Sequence, residues 1–391
     1  MHISGRIYMD YQASTPVDER ALKAMLPYFS EIFANPHASN HAFGWEAAAA
    51  VERARAQIAA LIGAYPEDVF FTSGATESNN HVFQAMAAMS SSNRKTILIS
   101  SIEHPCVMQA ATLAAERGGF KLLFIPVDGA GRIDMGALNR ELNDDVLMVS
   151  IMAVNNEVGT VQDIPQLVEL AHSEGAFFHC DAAQAFPAVQ VDAEGWDVDF
   201  LSLSAHKLYG PKGIGALYIR SDLRDCISPL LVGGGQENGV RAGTVATPLC
   251  VGFGEAASIM HEDREAEALK LQALRKLFLD SLRSRGVLFE VNGMGGRGGH
   301  PGNVSITFRD IHGQHLLAKL QPKVAASSGS ACTSSMDGHS HVLAALGLDE
   351  EAAGRTVRFS LGRYSDVQQV RDAVDLIAQV INEERSTLMR S

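Results

Sequence analysis

The sequence predicts an α/β protein: a mostly parallel sheet in a large domain, joined to a smaller α+β domain. Three observations predict it. Short β-branched or aromatic runs alternate with helix-forming stretches from Asp68 to Ile219, the pattern of strand–helix–strand units that cover a parallel sheet on both faces. The rhythm changes after Ala256, where a charged helix and a few separated strands take over. The chain has 391 residues, more than one ordinary hydrophobic core organises, so at least two packed units are expected. Residues 15–255 form the expected large domain, and 1–14 with 256–391 the small one.

Taken in order, the run DYQASTP (10–16) reads as a turn into a helix, with Pro16 in the first helical turn. An Ala-rich helix is predicted over 45–62, stopped by Gly63. Strands follow at 69–72, 96–100, 121–127, 146–152, 176–180, 198–203 and 215–219. Helices lie between them at 77–89, 107–117, 135–142 and 166–173. In the second unit, helices are predicted at 265–283, 313–320, 341–346 and 367–384, and strands at 304–308 and 356–360. No internal repeat is visible.

Composition removes several function classes. The formal net charge is −13, which argues against nucleic acid as a direct partner. No apolar run is long enough to span a bilayer, and the N-terminal MHISGRIYMDYQ lacks the apolar core of a signal peptide. The five cysteines, Cys106, Cys180, Cys226, Cys250 and Cys332, are scattered and form no C-x-x-C pair. Neither a disulfide framework nor a metal site is expected, and a reducing cytoplasm is the expected home.

The chemistry gathers where strands end. The strand at 198–203 runs into Ser204, Ala205, His206 and Lys207, then into a turn forced by Gly210, Pro211, Gly213 and Gly215. Desolvation at the mouth of a buried strand disfavours an ammonium, and a neutral amine forms Schiff bases with carbonyls. A lysine beside a hydroxyl and an imidazole that can bind phosphate is what pyridoxal phosphate requires. A solvated lysine on a glycine-rich loop is the other reading. In FTSGATESN (71–79), Gly74 permits a tight turn, and Ala75 and Thr76 offer donors at a helix start, where an anion is favoured. Thr76 also reads as a plain N-cap.

Asp181, in AFFHCDAAQ (176–184), falls at the carboxyl end of a strand, where open α/β sheets bind ligands. A carboxylate there keeps a pyridine nitrogen protonated. Gln184 is placed to reach the ring oxygen, and a helix cap is the competing role for Asp181. His104 and Asn156 also follow strands. An imidazole can stack on a ring or move protons, whereas Asn156 can bond ring substituents or simply make a turn. GGGQENGVRAGT (233–244) holds Arg241 and is either an anion cradle or a flexible loop. GMGGRG (293–298) matches G-x-G-x-x-G but lacks the flanking strand and helix of a dinucleotide site.

Arg358, inside a strand, calls for a carboxylate, either a substrate's or that of an internal salt bridge. AASSGSACTSS (325–335) is a run of small residues around Cys332. Such a run makes an exposed loop, and an exposed thiol is reactive. Cys332 is therefore the candidate nucleophile, an accidental loop cysteine being the alternative. The other four cysteines read as inert packing residues.

Together these stretches resemble the pyridoxal phosphate-dependent enzymes of fold type I and the class V aminotransferase fold. Within it they are similar to the cysteine desulfurases of the NifS/IscS type. The resemblance runs from YMDYQASTP (8–16) to RFSLGR (358–363). It includes NPHASNH (35–41), TSGATES (72–78), EHP (103–105), NNEVG (155–159), HCDAAQ (179–184), SAHK (204–207), RAGT (241–244) and SSGSACTS (327–334), the last marking the long-loop subgroup.

The resemblance implies roles. Lys207 would bind the cofactor covalently and remove the substrate's α-proton. Asp181 would pair with the pyridinium, Gln184 with the ring oxygen, and His104 would stack on the ring and help with protons. Ala75, Thr76, Ser204 and His206 would hold the phosphate. Thr244 would reach the phosphate of a neighbouring subunit, implying a homodimer. Arg358, with Asn35 and Asn156, would hold the carboxylate of L-cysteine. Cys332 would take its sulfur as a persulfide, leaving L-alanine, and pass it to an acceptor protein, an iron–sulfur scaffold being one candidate. The sequence stops soon after the last predicted helix, without the longer tail by which housekeeping members meet that scaffold. Two alternatives remain: a pyridoxal phosphate-dependent C–S lyase acting on cystine or selenocysteine, and a non-catalytic scaffold.

Overall fold

A computed structural model describes residues 5–89, 93–294, 298–328 and 340–388 of the chain. The N-terminal segment carries the short strand β1 (Ile7–Tyr8) and helices α1 (Glu19–Met25), α2 (Pro27–Ser30) and α3 (Ala42–Leu61). Helix α1 is capped by Asp18, whose carboxylate accepts the Arg20 N–H. Pro16, expected in the first helical turn, therefore lies ahead of the helix. Helix α3 starts earlier than predicted because His41 Nδ1 accepts the Gly44 N–H and caps it.

The strand–helix alternation is β2 (Val69–Thr72), α4 (Ala75–Ala88), β3 (Thr96–Ser100), α5 (Pro105–Gly118), β4 (Lys121–Ile125), α6 (Met135–Glu141), β5 (Val146–Ser150), α7 (Ile164–Ser173), β6 (Phe177–Asp181), β7 (Phe200–Ser204) and β8 (Gly215–Ile219). The seven strands form one sheet in the order β2-β8-β7-β6-β5-β3-β4. It is parallel except for β8, which runs antiparallel to both neighbours. Strands β2, β3, β5, β7 and β8 are buried along their whole length, as continuous apolar runs covered on both faces should be. One face packs under α3, α7 and the next helix, the other under α4 and α5. After β3 the chain adds β4 outward, then places β5 on the other side and works back to β8. That reversal opens a crevice at the carboxyl ends of the strands.

Helix α8 (Thr247–Ser284) has 38 residues, about 57 Å at 1.5 Å per residue. Its first half, through Met260, belongs to the core of the large sheet. Leu271 to Leu282 belong to a second core. The predicted helix 265–283 is its second half, and the expected boundary at 255/256 falls inside it. A Cβ on Gly254 would lie 2.5 Å from Ala54 Cα, so glycine is what lets α8 cross α3 closely.

The remaining elements are β9 (Phe289–Val291), β10 (Asn303–Phe308), α9 (Gly313–Leu320), β11 (Val324–Ala325), β12 (Ser327–Ser328), α10 (His341–Ala345), α11 (Glu350–Gly354), β13 (Thr356–Ser360) and α12 (Val367–Leu388). Strands β12-β13-β10-β9 form an antiparallel sheet. β1 pairs in parallel with β11, which brings Ile7 and Met9 into the second core. Among the described residues, no helix is long and apolar enough to cross a membrane.

Candidate active site

A cavity of about 520 Å3 lies at the carboxyl ends of the central strands. Each wall comes from a residue that ends or follows a strand: Ser73 to Glu77 after β2, His104 and Cys106 after β3, Met152 to Asn156 after β5, Asp181 to Gln184 at β6, and Ser204 to Lys207 at β7. Arg358 of β13 and the segment Gln12–Ser14 close it from the other unit. A larger cavity, about 790 Å3, lies along α8 and shares no lining residue with it.

Lys207 sits on a short turn directly after β7. Its Nζ donates to the backbone oxygens of Gln12 (2.5 Å) and Ala13 (3.0 Å). Gln184 Nε2 donates to the same Gln12 oxygen at 2.8 Å. Burial, with Lys207 and Lys212 alongside, pushes the pKa of His206 down to about 4. Its Nδ1 is 3.3 Å from Ser14 Oγ.

Helix α4 begins after Gly74, at φ +149°, and no side chain caps it. Thr76 is therefore not the N-cap but lies in the first turn, and the first N–H groups remain available to an anion. Glu77 accepts from Ser73 N–H (2.8 Å) and from Arg241 Nε (2.9 Å). Burial alone would raise the Glu77 pKa, but these donors hold it down. The cation of the glycine-rich loop is thus committed to Glu77.

Asp181 caps no helix. Its Oδ1 accepts the Ala183 N–H at 3.0 Å, and its Oδ2 accepts from Asn79 Nδ2 at 2.8 Å. His104 caps α5, its Nδ1 accepting the Cys106 N–H at 3.2 Å. Burial lowers its pKa, with Lys207 and His341 helping and Asp181 opposing. Arg358 has both expected kinds of surroundings. Nη2 pairs with Asp10 Oδ1 (2.9 Å) and Nη1 donates to the Asn156 backbone oxygen (2.8 Å), yet the residue lines the cavity and its buried Nε has no partner among the described residues.

The cavity thus brings together Lys207, His104, Asp181, Gln184, Ala75, Thr76, Ser204, His206, Asn156 and Arg358. It does not bring in Asn35 or Thr244, both exposed on the single chain; Asn35 Oδ1 accepts the His37 N–H instead. Cys332 lies outside the described residues. The flanks of that stretch are both tied to the site: Ser327 Oγ donates to Asp10 Oδ2 (2.8 Å), and Ser340 Oγ donates to Glu157 Oε2 (2.6 Å).

Sequence reasoning missed Asp10, Gln12, Asn79 and Cys106. Asn79 follows Ala75 by one helical turn, a spacing that marks a shared face. Gln12 was unreadable, because its contacts are with Gln184, Asn303 and Ser360. The packing assignment of the cysteines needs correction. Cys180 and Cys250 are buried, but Cys226 is exposed and Cys106 lines the cavity.

Comparison with known proteins gives a consistent result. Residues 7–372 match the family model for aminotransferase class-V. The cysteine desulfurase IscS of Rickettsia bellii is 43% identical over 97% of this chain and 92% of that relative. Among solved structures, a NifS-like protein superposes with a TM-score of 0.89 at 33% identity, covering 96% of this chain and 99% of the other. A structure of SspA in complex with cysteine does so with a TM-score of 0.80 at 35% identity, covering 92% and 100%.

Proposed function

This chain belongs to the class-V aminotransferase family, and from that premise we propose that it is a pyridoxal phosphate-dependent cysteine desulfurase. It converts L-cysteine to L-alanine and leaves a persulfide on Cys332. The observation that carries this reading is the convergence of Lys207, Asp181, His104 and Arg358 on one cavity, alongside relatives that are cysteine desulfurases. The residues present fit the cofactor. Helix α4 has an uncapped N-terminus beside Thr76, Ser204, His206 and Lys212 for a phosphate, and Asp181 supplies the carboxylate for a pyridinium. Gln12, on the cavity wall, has a buried Nε2 with no partner among the described residues. When bound, the cofactor supplies an electron sink for the bonds at the substrate's α-carbon.

The chain's own residues do the rest. Lys207 anchors the cofactor and takes the proton from the substrate Cα. Asp181, its two oxygens already oriented by Asn79 and Ala183, holds the ring nitrogen protonated. Gln184 would serve the ring oxygen, and His104, on the same cavity wall, would flank the ring. Arg358, with Asn156 and Asn35, holds the carboxylate. Cys332 attacks as a thiolate on the substrate sulfur. The S–S bond forms as the Cβ–S bond breaks, the electron pair stays with Cβ, which takes up a proton, and the proton that Lys207 removed is returned to Cα, completing alanine.

The enzyme is a homodimer in which Thr244 serves the neighbouring subunit's phosphate, and its two units, expected at 15–255 and at 1–14 with 256–391, meet within α8, which packs on the large sheet through Met260. Its persulfide goes to an acceptor protein in iron–sulfur or other sulfur-containing cofactor assembly. The four described cysteines are free thiols, which supports a cytoplasmic home.

Two variants test the reading. Lys207→Ala is expected to lose the borohydride-trappable adduct and to fall by about 10²–10⁴-fold in alanine production. Cys332→Ala keeps the adduct but forms no persulfide. Alanine production by Cys332→Ala at the wild-type rate would rule out the persulfide on Cys332, whereas pyruvate and ammonia in place of alanine would mean a C–S lyase.

A further inference from the structure

We propose that Cys106 and Asn79 are positioning residues: they hold His104 as a neutral hydrogen-bond donor, with its proton on Nε2, and couple it to Asp181 through one hydrogen-bonded chain. The inference rests on the desulfurase reading for its catalytic meaning, though not for its geometry.

The chain begins at the start of α5. His104 is the N-cap and Pro105 has no N–H, so the Cys106 N–H is the first donor the cap must satisfy. It donates to His104 Nδ1 at 3.2 Å, which makes Nδ1 an acceptor. In a neutral imidazole the proton then sits on Nε2. The Cys106 side chain adds a second donor, with Sγ 3.0 Å from the same Nδ1.

Asn79 orients the thiol. It is fully buried, and its Nδ2 donates both to Cys106 Sγ (3.3 Å) and to Asp181 Oδ2 (2.8 Å). A flipped amide would turn its oxygen toward the Asp181 carboxylate, so this orientation is fixed. Asn79 donates to the sulfur and the Thr76 hydroxyl is also hydrogen-bonded to it; with both donating, the S–H proton is left for Nδ1. Burial, then the charge of Asp181, pushes the Cys106 pKa up to about 12, so the group stays a thiol near neutral pH.

Protonating Nδ1 would require both donors to turn away. The charged and titratable groups around the ring are Asp181, Lys207, His341, Glu103 and Cys106 itself. Of these, Asp181 favours the imidazolium, and Lys207 and His341 oppose it. The consequence is specific. His104 offers the cavity a neutral N–H donor, a role imidazole fills elsewhere, and is not the base that ionises Cys332.

The test uses the full chain with its cofactor, labelled with 15N-histidine, and a His104→Gln variant to assign the signal. The expected spectrum shows the Nε2–H tautomer for His104. In Cys106→Ala the proton affinity of His104 should rise about three- to tenfold, the effect of one lost hydrogen bond to the neutral form. Cys106→Ser should restore it. Kinetically, Cys106→Ala should lower kcat for cysteine with KM unchanged, and serine should rescue it. An Nδ1–H tautomer in the wild type, or an unchanged titration in a folded Cys106→Ala, overturns the proposal. If Cys106→Ala does not fold, the wild-type tautomer and an Asn79→Ala titration decide it. Absence of a borohydride-trappable adduct at Lys207 in the wild type would sink the desulfurase reading instead, and the tautomer would still be read separately.

Discussion

Arg358 carries two attachments on one guanidinium. It is 4% exposed, paired with Asp10 and bonded to the Asn156 backbone oxygen, and its buried Nε has no partner among the described residues. The residue also lines the cavity, so a substrate carboxylate there would share the guanidinium with Asp10. Charge-assisted hydrogen bonds are worth about 1.5–3 kcal/mol, so Arg358→Ala should raise KM for cysteine roughly 10- to 150-fold while the cofactor's absorbance stays in place. Arg358→Lys should recover only part, since an ammonium lacks the planar fork. Steady-state kinetics check it, and an unchanged KM removes Arg358 from the substrate. Residues of this kind were legible because each is a charge in an apolar run, which needs a reason. Lys207 and Asp181 are the same case. Gln12, Asn79 and Cys106 were not, because a neutral polar residue in a turn or helix needs no explanation until its distant partner is known.

At the scale of elements, strand ends were readable and helix starts less so. The strand predicted over 198–203 is Phe200–Ser204, and the shift matters little because Lys207 still follows it. Helix starts moved where a cap was not obvious: His41 caps α3 and Gly74 precedes α4. The N-cap of α10 shows what such a cap can do. Ser340 Oγ accepts the Leu343 N–H and donates to Glu157 Oε2, while His341 Nε2 lies 2.9 Å from the Glu103 oxygen. Helix α10 is thereby fastened to the turns that carry Asn156 and His104. Burial raises the Glu157 pKa from 4.5 to about 7, against the Ser340 hydrogen bond and the charge of Arg358.

The folded protein thus holds that proton more tightly than the unfolded chain does. The stability this contributes is full below pH 4.5 and is lost as pH rises through about 7. Complete loss corresponds to roughly 3 kcal/mol. Glu157→Gln has no proton to release, so its Tm should fall less than the wild type's between pH 5 and pH 8. Parallel Tm curves in a thermal-melt series would remove Glu157 as the source.

For the whole molecule, the two expected site residues missing from the cavity lie beside exposed apolar side chains. Asn35 follows Phe33 (70% exposed) and precedes Phe43 and Trp45 (61% and 59%), with Leu22, Leu26 and Phe29 exposed upstream. Thr244 ends the loop that begins after Val232, 84% exposed. That loop is not loose, because Glu237 is paired with the buried Arg55 at 2.8 Å and Arg241 with Glu77. Exposed apolar surface next to a held loop is what an interface between protomers presents. Residue type and spacing alone do not place them, since their partners would lie on another chain; only the family resemblance assigned Thr244 to a neighbouring subunit. A shared site has a distinctive consequence. In a mixture of Lys207→Ala and Thr244→Ala chains, each mixed dimer has one site with both residues intact, and random mixing should restore about a quarter of wild-type activity. The comparison is with the average of the two variants assayed separately. If the mixture gives only that average, or if Thr244→Ala alone is fully active, Thr244 does not serve a neighbouring site.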